Sequence, residues 1–238
     1  MKVELLNVAL DVGFGRVILR DASIAIESGQ FVALLGENGA GKTTLLDLIL
    51  GFRKPTSGEI RVGGEPHPHL DHWQQRHRIA YLSEKVDIPG DWSVADFFTF
   101  HRYFYPSYSR EAEAELCARF RVKPEGRLGN MSAGEVRRVQ IVGALAAKPE
   151  LVLIDEITAV LDIVGRRKLL DYLREENRAR GLTVILATNI IEDLDRVATH
   201  LLLLRQGAVM AFRSISDYCA ANGNIAFAEC VAQDLERL

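Results

Sequence analysis

Apolar and polar side chains alternate over residues 2–8 and 17–27, and the alternation predicts two strands, each with one buried face. Phe31 to Leu35 is apolar without a break, which predicts a strand covered on both sides. A glycine-rich turn follows, and Leu45, Leu46, Leu48 and Ile49 then recur at helical spacing up to Gly51. The segment holding Pro55, Gly58, Gly63, Gly64, Pro66 and Pro68 predicts a small β-rich lobe with loops, leading to a short strand at Ile79 to Leu82. From Ser93 to about Phe120 the pattern turns helical, and it opens on a Ser93/Asp96 pair close to a capping box. The remainder predicts helix at 132–147, strand at 151–154, helix at 165–180, strand at 183–187, helix at 190–197 and strand at 200–204. Residues 214–238 finish in a helical pattern, with Ile225, Ala228, Val231, Leu235 and Leu238 on one face. Strands alternating with helices imply a mainly parallel sheet covered by helices, so the fold class expected is α/β.

Composition narrows the function. The 238 residues are 48% hydrophobic, enough for one substantial core that divides into two lobes. The net charge of -3 leaves no basic face for a phosphate backbone, so no nucleic-acid partner is expected. The longest aliphatic stretch, Leu201 to Leu204, falls far short of the roughly 20 residues a spanning helix needs. The beginning Met1-Lys2-Val3-Glu4 carries an early acid and reads as strand rather than as a secretory segment, and the chain is expected to stay in the cytoplasm. Cys117, Cys219 and Cys230 have no metal-type spacing and leave an odd thiol, which suits a reducing compartment and buried or idle thiols.

Two segments carry chemistry. Gly36-Glu37-Asn38-Gly39-Ala40-Gly41-Lys42-Thr43, with Thr44 beside it, matches a P-loop, and it stands between a predicted strand and a predicted helix as that pattern requires. Its glycines let backbone N–H groups curl around phosphates, the helix N-terminus adds partial positive charge, and Lys42 reaches the terminal phosphates. The Thr43 hydroxyl suits Mg2+. Leu151-Val152-Leu153-Ile154 then delivers Asp155 and Glu156 to the end of a strand. Asp155 suits the metal shell, and Glu156, one step on, is placed to polarise an attacking water.

These motifs and what lies between them resemble the ABC ATPase family over nearly the whole chain. Met131-Ser132-Ala133-Gly134-Glu135, followed by Arg137-Arg138-Val139, looks like the family's signature loop. Lys54 to Ile60, Ala146 to Glu150, and Leu161-Asp162, similar to the D-loop, fit as well. The resemblance implies one ABC ATPase domain over 1–238. Its core and β lobe would span 1–84 and 151–213, its helical lobe 85–150, and a helical tail 214–238. The fold implied is a P-loop NTPase core with a mainly parallel sheet, an N-terminal antiparallel β lobe and an α-helical lobe. It further implies ATP and Mg2+ as cofactors, ATP hydrolysis, and a head-to-tail dimer in which Ser132, Ala133, Gly134, Glu135 and Asp162 face the partner's nucleotide. That dimer is a homodimer or a heterodimer with a second ABC ATPase subunit, held at the inner face of the membrane by a separate permease. Phe14 falls near the aromatic that stacks on adenine in related proteins.

Several positions depart from the family pattern. Glu84 stands where glutamine is usual among the metal-site residues, and Asn189 where a histidine contacts the γ-phosphate. A carboxylate binds Mg2+ but donates no hydrogen bond, and Asn donates but is never cationic. Ala133 replaces glycine and Glu135 glutamine in the signature, while Ile157, Ala159 and Val160 stand where Pro, Ser and Gly are common. Nucleotide binding is expected with slow turnover; a degenerate ATP-gated switch and a non-transport ABC ATPase are the alternatives. The aromatic run from Trp92 to Pro106 also resembles subunits of bacterial drug, lantibiotic or peptide exporters. Phe97, Phe100 or His101, and Phe104 have core spacing, leaving Trp92 and Tyr108 as expected docking residues. The His67, His69, His72, His77 and Asp71 group matches no metal motif and reads as a polar loop.

Overall fold

The computed structural model describes residues 1–13, 17–67, 76–83, 88–157, 161–191, 194, 196–223 and 225–236. Strands β1 (Val3–Asp11), β2 (Val17–Ile26), β4 (Ser57–Val62) and β5 (Glu65–His67) form an antiparallel sheet in the order β2-β1-β4-β5. The second sheet runs β10-β9-β3-β8-β7-β6, from β3 (Phe31–Leu35), β6 (Ile79–Ser83), β7 (Leu151–Asp155), β8 (Thr183–Ala187), β9 (His200–Arg205) and β10 (Ala208–Ser214). Its pairs are parallel except β9 with β10. This is the α/β class that the alternation implied.

The unbroken apolar runs have a specific cause. Phe31, Ala33 and Leu35 of β3 enter one buried cluster, while Val32 and Leu34 enter a second on the opposite face. The same division holds in β7, where Val152 and Ile154 part from Leu151 and Leu153, and in β9, where Leu201 and Leu203 part from Leu202 and Leu204. Successive side chains of a strand point to opposite faces, so a sheet with a core on each side needs every position apolar. One core holds α1 (Lys42–Leu50) and the antiparallel sheet; the other holds the remaining helices.

The helical stretch expected from Ser93 to Phe120 is two helices, α2 (Val94–Phe104) and α3 (Arg110–Phe120). Tyr105 precedes Pro106 and is extended (φ -114°, ψ 100°), which stops α2, and Ser109 then caps α3 through the Ala112 N–H. The Ser93/Asp96 capping box is complete. Further on come a 3-10 turn at Leu128–Asn130, α4 (Ala133–Ala146), α5 (Ile163–Arg180), α6 (Ile215–Ala221) and α7 (Phe227–Glu236). At 190–197 the described residues make turn hydrogen bonds, Leu194 N–H to Ile191 O and Val197 N–H to Leu194 O, and residues 192, 193 and 195 lie outside the description.

Three packing expectations change. On α2, Phe97 and Phe98 are buried whereas Phe100 and Phe104 are exposed, and Tyr103 is 82% exposed. Trp92 and Tyr108 instead pack against the core, and the Tyr108 hydroxyl donates to Glu113 at 2.6 Å. On α7 the buried face is Phe227, Cys230 and Val231; Ile225 precedes the helix, Ala228 is half-buried, and the side chains of Leu235 and Leu238 are not described. Cys230 is a core residue and Cys117 and Cys219 are half-buried free thiols. Among the described residues no three or more His, Cys, Asp or Glu side chains group so as to hold a metal ion, and no helix is long and apolar enough to cross a membrane. His69, Asp71 and His72 lie outside the described residues.

Candidate functional site

The site begins where β3 ends. Gly36 turns the chain so tightly that a β-carbon there would sit 2.3 Å from the Leu204 carbonyl oxygen, and only glycine allows that approach. Gly41, at φ 104°, caps α1 in a left-handed conformation and starts the helix at Lys42. The first turn of a helix leaves N–H groups without intrahelical acceptors, so α1 opens with donors and partial positive charge.

Lys42 is buried, and its ammonium folds over the loop, donating to the Gly36 carbonyl at 2.6 Å and the Glu37 carbonyl at 3.2 Å. Burial pushes its pKa below the ordinary lysine value, while Glu156 and Asp155 pull it back up. A cation held against backbone oxygens and short of solvent gains from an anion brought to it.

Asp155, at the end of β7, is buried, and its Oδ2 accepts from the Thr43 hydroxyl at 2.9 Å. The Tyr81 hydroxyl lies 3.4 Å from the same oxygen; burial pushes the Tyr81 pKa up to about 12. Asp155 Oδ1 is buried with no hydrogen-bond partner among the described residues. A buried carboxylate oxygen left unpartnered beside a hydroxyl is costly unless something binds it, and this oxygen-only donor set fits a hard divalent cation. Tyr81 was missed in the sequence, where it reads as an ordinary strand residue.

Glu156 follows in a left-handed conformation, φ 57°, with its N–H bonded to the Ala187 carbonyl at 3.1 Å. A non-glycine residue there carries about 1–2 kcal/mol of backbone cost. The side chain lines a cavity of about 190 Å3 with Ile18, Glu37, Asn38, Gly39, Gly41, Lys42, Thr43 and Thr44. Ile18 on β2 is the apolar wall that sequence reading did not single out, because a β-branched residue in a strand carries no chemical signal. Asn189, just past β8, is exposed; its Oδ1 accepts from Lys42 at 3.4 Å and its Nδ2 donates to Asn38 Oδ1 at 3.4 Å. Phe14 and Glu84 lie outside the described residues, as do Ala159 and Val160.

The signature residues stand apart, since none of Ser132 to Glu135 lines that cavity. Ser132 caps α4 in a complete capping box. The Ser132 hydroxyl and N–H donate to Glu135 Oε2 at 2.7 and 2.9 Å, and these bonds hold the Glu135 carboxyl below its ordinary pKa. The Ser132 hydroxyl is therefore engaged within its own helix cap. Ser132, Ala133 and Glu135 are exposed and Gly134 half-buried. Asp162 caps α5 by accepting from the Gly165 N–H at 2.5 Å, and its other oxygen lies 3.7 Å from Arg138 of α4.

A strand, a glycine-rich loop and a helix N-terminus, faced by a carboxylate from the parallel strand two places along the sheet, define a P-loop nucleotide-binding site. The family model described as ABC transporter matches residues 19–159, and the chain belongs to that family as an ATP-binding ABC ATPase. It is 32% identical over 227 residues to the energy-coupling factor transporter ATP-binding protein EcfA2 of Ligilactobacillus salivarius, covering 89% of this chain and 78% of that one. It is 33% identical over 215 residues to the Nod factor export ATP-binding protein I of Rhizobium leguminosarum bv. viciae, covering 88% and 68%. A solved ATP-binding subunit of an ABC transporter superposes with a TM-score of 0.87 at 24% identity, over 98% of this chain and 99% of that one.

Proposed function

We propose that the chain is the cytoplasmic subunit that binds ATP with Mg2+, closes on a second ABC ATPase subunit around it, and drives a separate membrane permease. The observation that carries this reading is Asp155, whose Oδ2 is fixed by Thr43 while Oδ1 stays buried and unpartnered beside the P-loop. Gly36 through Thr44 cradle the phosphates, Ile18 lines the same cavity, and Phe14 is the residue proposed to stack on adenine. Thr43, Asp155 and Glu84 hold the cation, which neutralises charge on the terminal phosphates. Glu156 orients and deprotonates water, and Asn189 donates to the γ-phosphate. Ser132, Ala133, Gly134, Glu135 and Asp162 complete the partner's site, a division supported by their distance from this chain's own cavity.

The permease docks in a cavity of about 330 Å3 whose lining includes Ile88, Trp92, Phe97, Phe100 and Tyr105, next to the exposed rings of Tyr103 and Phe104. Contiguous exposed apolar surface of this kind marks a protein contact. The aromatic run and the likeness to an export protein support outward transport as its direction. Asn189 in place of a histidine favours slow turnover, closer to a switch than to a fast pump.

Calorimetry with ATP and Mg2+ on the chain and on Lys42→Ala tests the reading. Loss of the ammonium should weaken binding at least about 100-fold, since charge-assisted hydrogen bonds contribute about 1.5–3 kcal/mol each. Equal affinity in the variant would remove the P-loop assignment.

A further inference from the structure

We propose that Tyr81 is a positioning residue for the metal-binding carboxylate: its hydroxyl holds Asp155 Oδ2 so that Oδ1 is presented to the cation. The inference rests on the metal-site reading above and extends it to a residue outside the P-loop and the acidic strand end. Asp155 closes β7, and β6 runs beside it in parallel register, with Tyr81 paired to Leu153 and Ser83 to Asp155. Alternation along β6 sends Ala80 and Leu82 into the core under the helices, and Tyr81 to the face that holds α1. There the ring packs edge-on against Phe52, just beyond α1, with centroids 6.2 Å apart, and the hydroxyl ends 3.4 Å from Asp155 Oδ2.

The two donors to Oδ2 are not equivalent. The Thr43 hydroxyl, at 2.9 Å, must turn a lone pair to the cation when it becomes a ligand, which competes with its present hydrogen bond. The Tyr81 phenol, which also meets the Ser83 side chain, is not called on as a ligand, and its ring is braced from behind by Phe52. At 3.4 Å the contact is long for an O–H···O bond, so the phenol acts as a stop on carboxylate rotation rather than as a strong anchor. Rotation would carry Oδ1 away from the position in which it is buried and unpartnered. Residues that orient a metal ligand from behind change metal affinity without touching the metal.

The test is Tyr81→Phe, which deletes the hydroxyl and keeps the ring against Phe52. ADP affinity is measured by calorimetry in EDTA and again with MgCl2, for the native chain and the variant, with a thermal melt of each without nucleotide. The expected result is an unchanged melt, unchanged affinity in EDTA, and a gain on adding Mg2+ that is smaller in the variant by about 3- to 10-fold. An equal Mg2+ gain in both proteins overturns the inference alone. A loss of the same size in EDTA also overturns it, because Tyr81 would then act on the fold. A native chain that gains nothing from Mg2+ overturns the metal-site reading and the inference with it.

Discussion

Asn189 reaches across the end of the parallel sheet to Lys42, its Oδ1 accepting from the ammonium at 3.4 Å while its amide nitrogen faces Asn38. The position is therefore joined to the P-loop, but through an acceptor turned toward the lysine. A histidine at 189 would offer a longer reach and a ring donor. Removing a transition-state donor of this kind costs about 10²- to 10³-fold in rate. Asn189→His should recover part of that factor, read as phosphate release at saturating ATP. No gain, together with native turnover already near the usual enzyme range of about 1 to 10³ per second, would sink the slow-switch reading.

Glu135 completes the cap of α4 and places a negative charge beside Ser132 on an exposed surface. That charge suits its own helix N-terminus and opposes a triphosphate brought to it. Glu135→Gln should keep an acceptor for the Ser132 N–H, lose a little stability at the helix N-terminus, and tighten ATP-driven self-association a few-fold. Denaturant melts and sedimentation at matched salt separate the two effects. An association that weakens would show that the carboxylate belongs to the interface.

Glu156 lines the phosphate cavity and Asp155 does not depend on it for hydrogen bonds. Glu156→Gln should leave nucleotide affinity within a few-fold and slow hydrolysis by about 10²-fold or more, as expected when a general base is removed. The closed dimer should then persist in ATP and fall to monomers in ADP. Light scattering on the variant reads this directly, and a monomer at saturating ATP counts against the composite site.

His101 is a half-buried imidazole stacked beside Tyr105, with its Nδ1 3.0 Å from the Phe97 carbonyl. Burial lowers its pKa from 6.5, and the Phe97 carbonyl offsets this only in part. The unfolded chain therefore takes up this proton before the folded chain does, and the neutral imidazole costs nothing above pH 6.5. As pH falls below that value, stability is lost down to the folded pKa. Urea unfolding at pH 7.5 and 5.5 should show a smaller acid loss in His101→Gln than in the native chain.

The legible parts of this molecule are those where one residue type can do only one thing. The P-loop glycines, Lys42 and the acidic end of β7 announce themselves because close backbone approach and phosphate charge leave no substitute. The capping boxes at Ser93 and Ser132 read as clearly, since each is a local pattern. Spacing misled where two faces of one element are both aromatic: Phe100 and Phe104 keep helical period with Phe97, yet Val94 and Phe98 take the buried side with it. The roles of Tyr81 and Ile18 depend on what the neighbouring strand or loop brings opposite them, and no periodicity encodes that.

The left-handed backbone at Glu156 sets local stability against chemistry. Glycine would suit that conformation better than any side chain, so Glu156→Gly should fold more tightly, by about 1 kcal/mol, while abandoning the water-activating group. Drift at this position runs downhill toward a sturdier and silent protein. Retention of a carboxylate against that slope makes position 156 a sensor of whether hydrolysis is under selection, and sequencing close variants of this chain would read it without an assay.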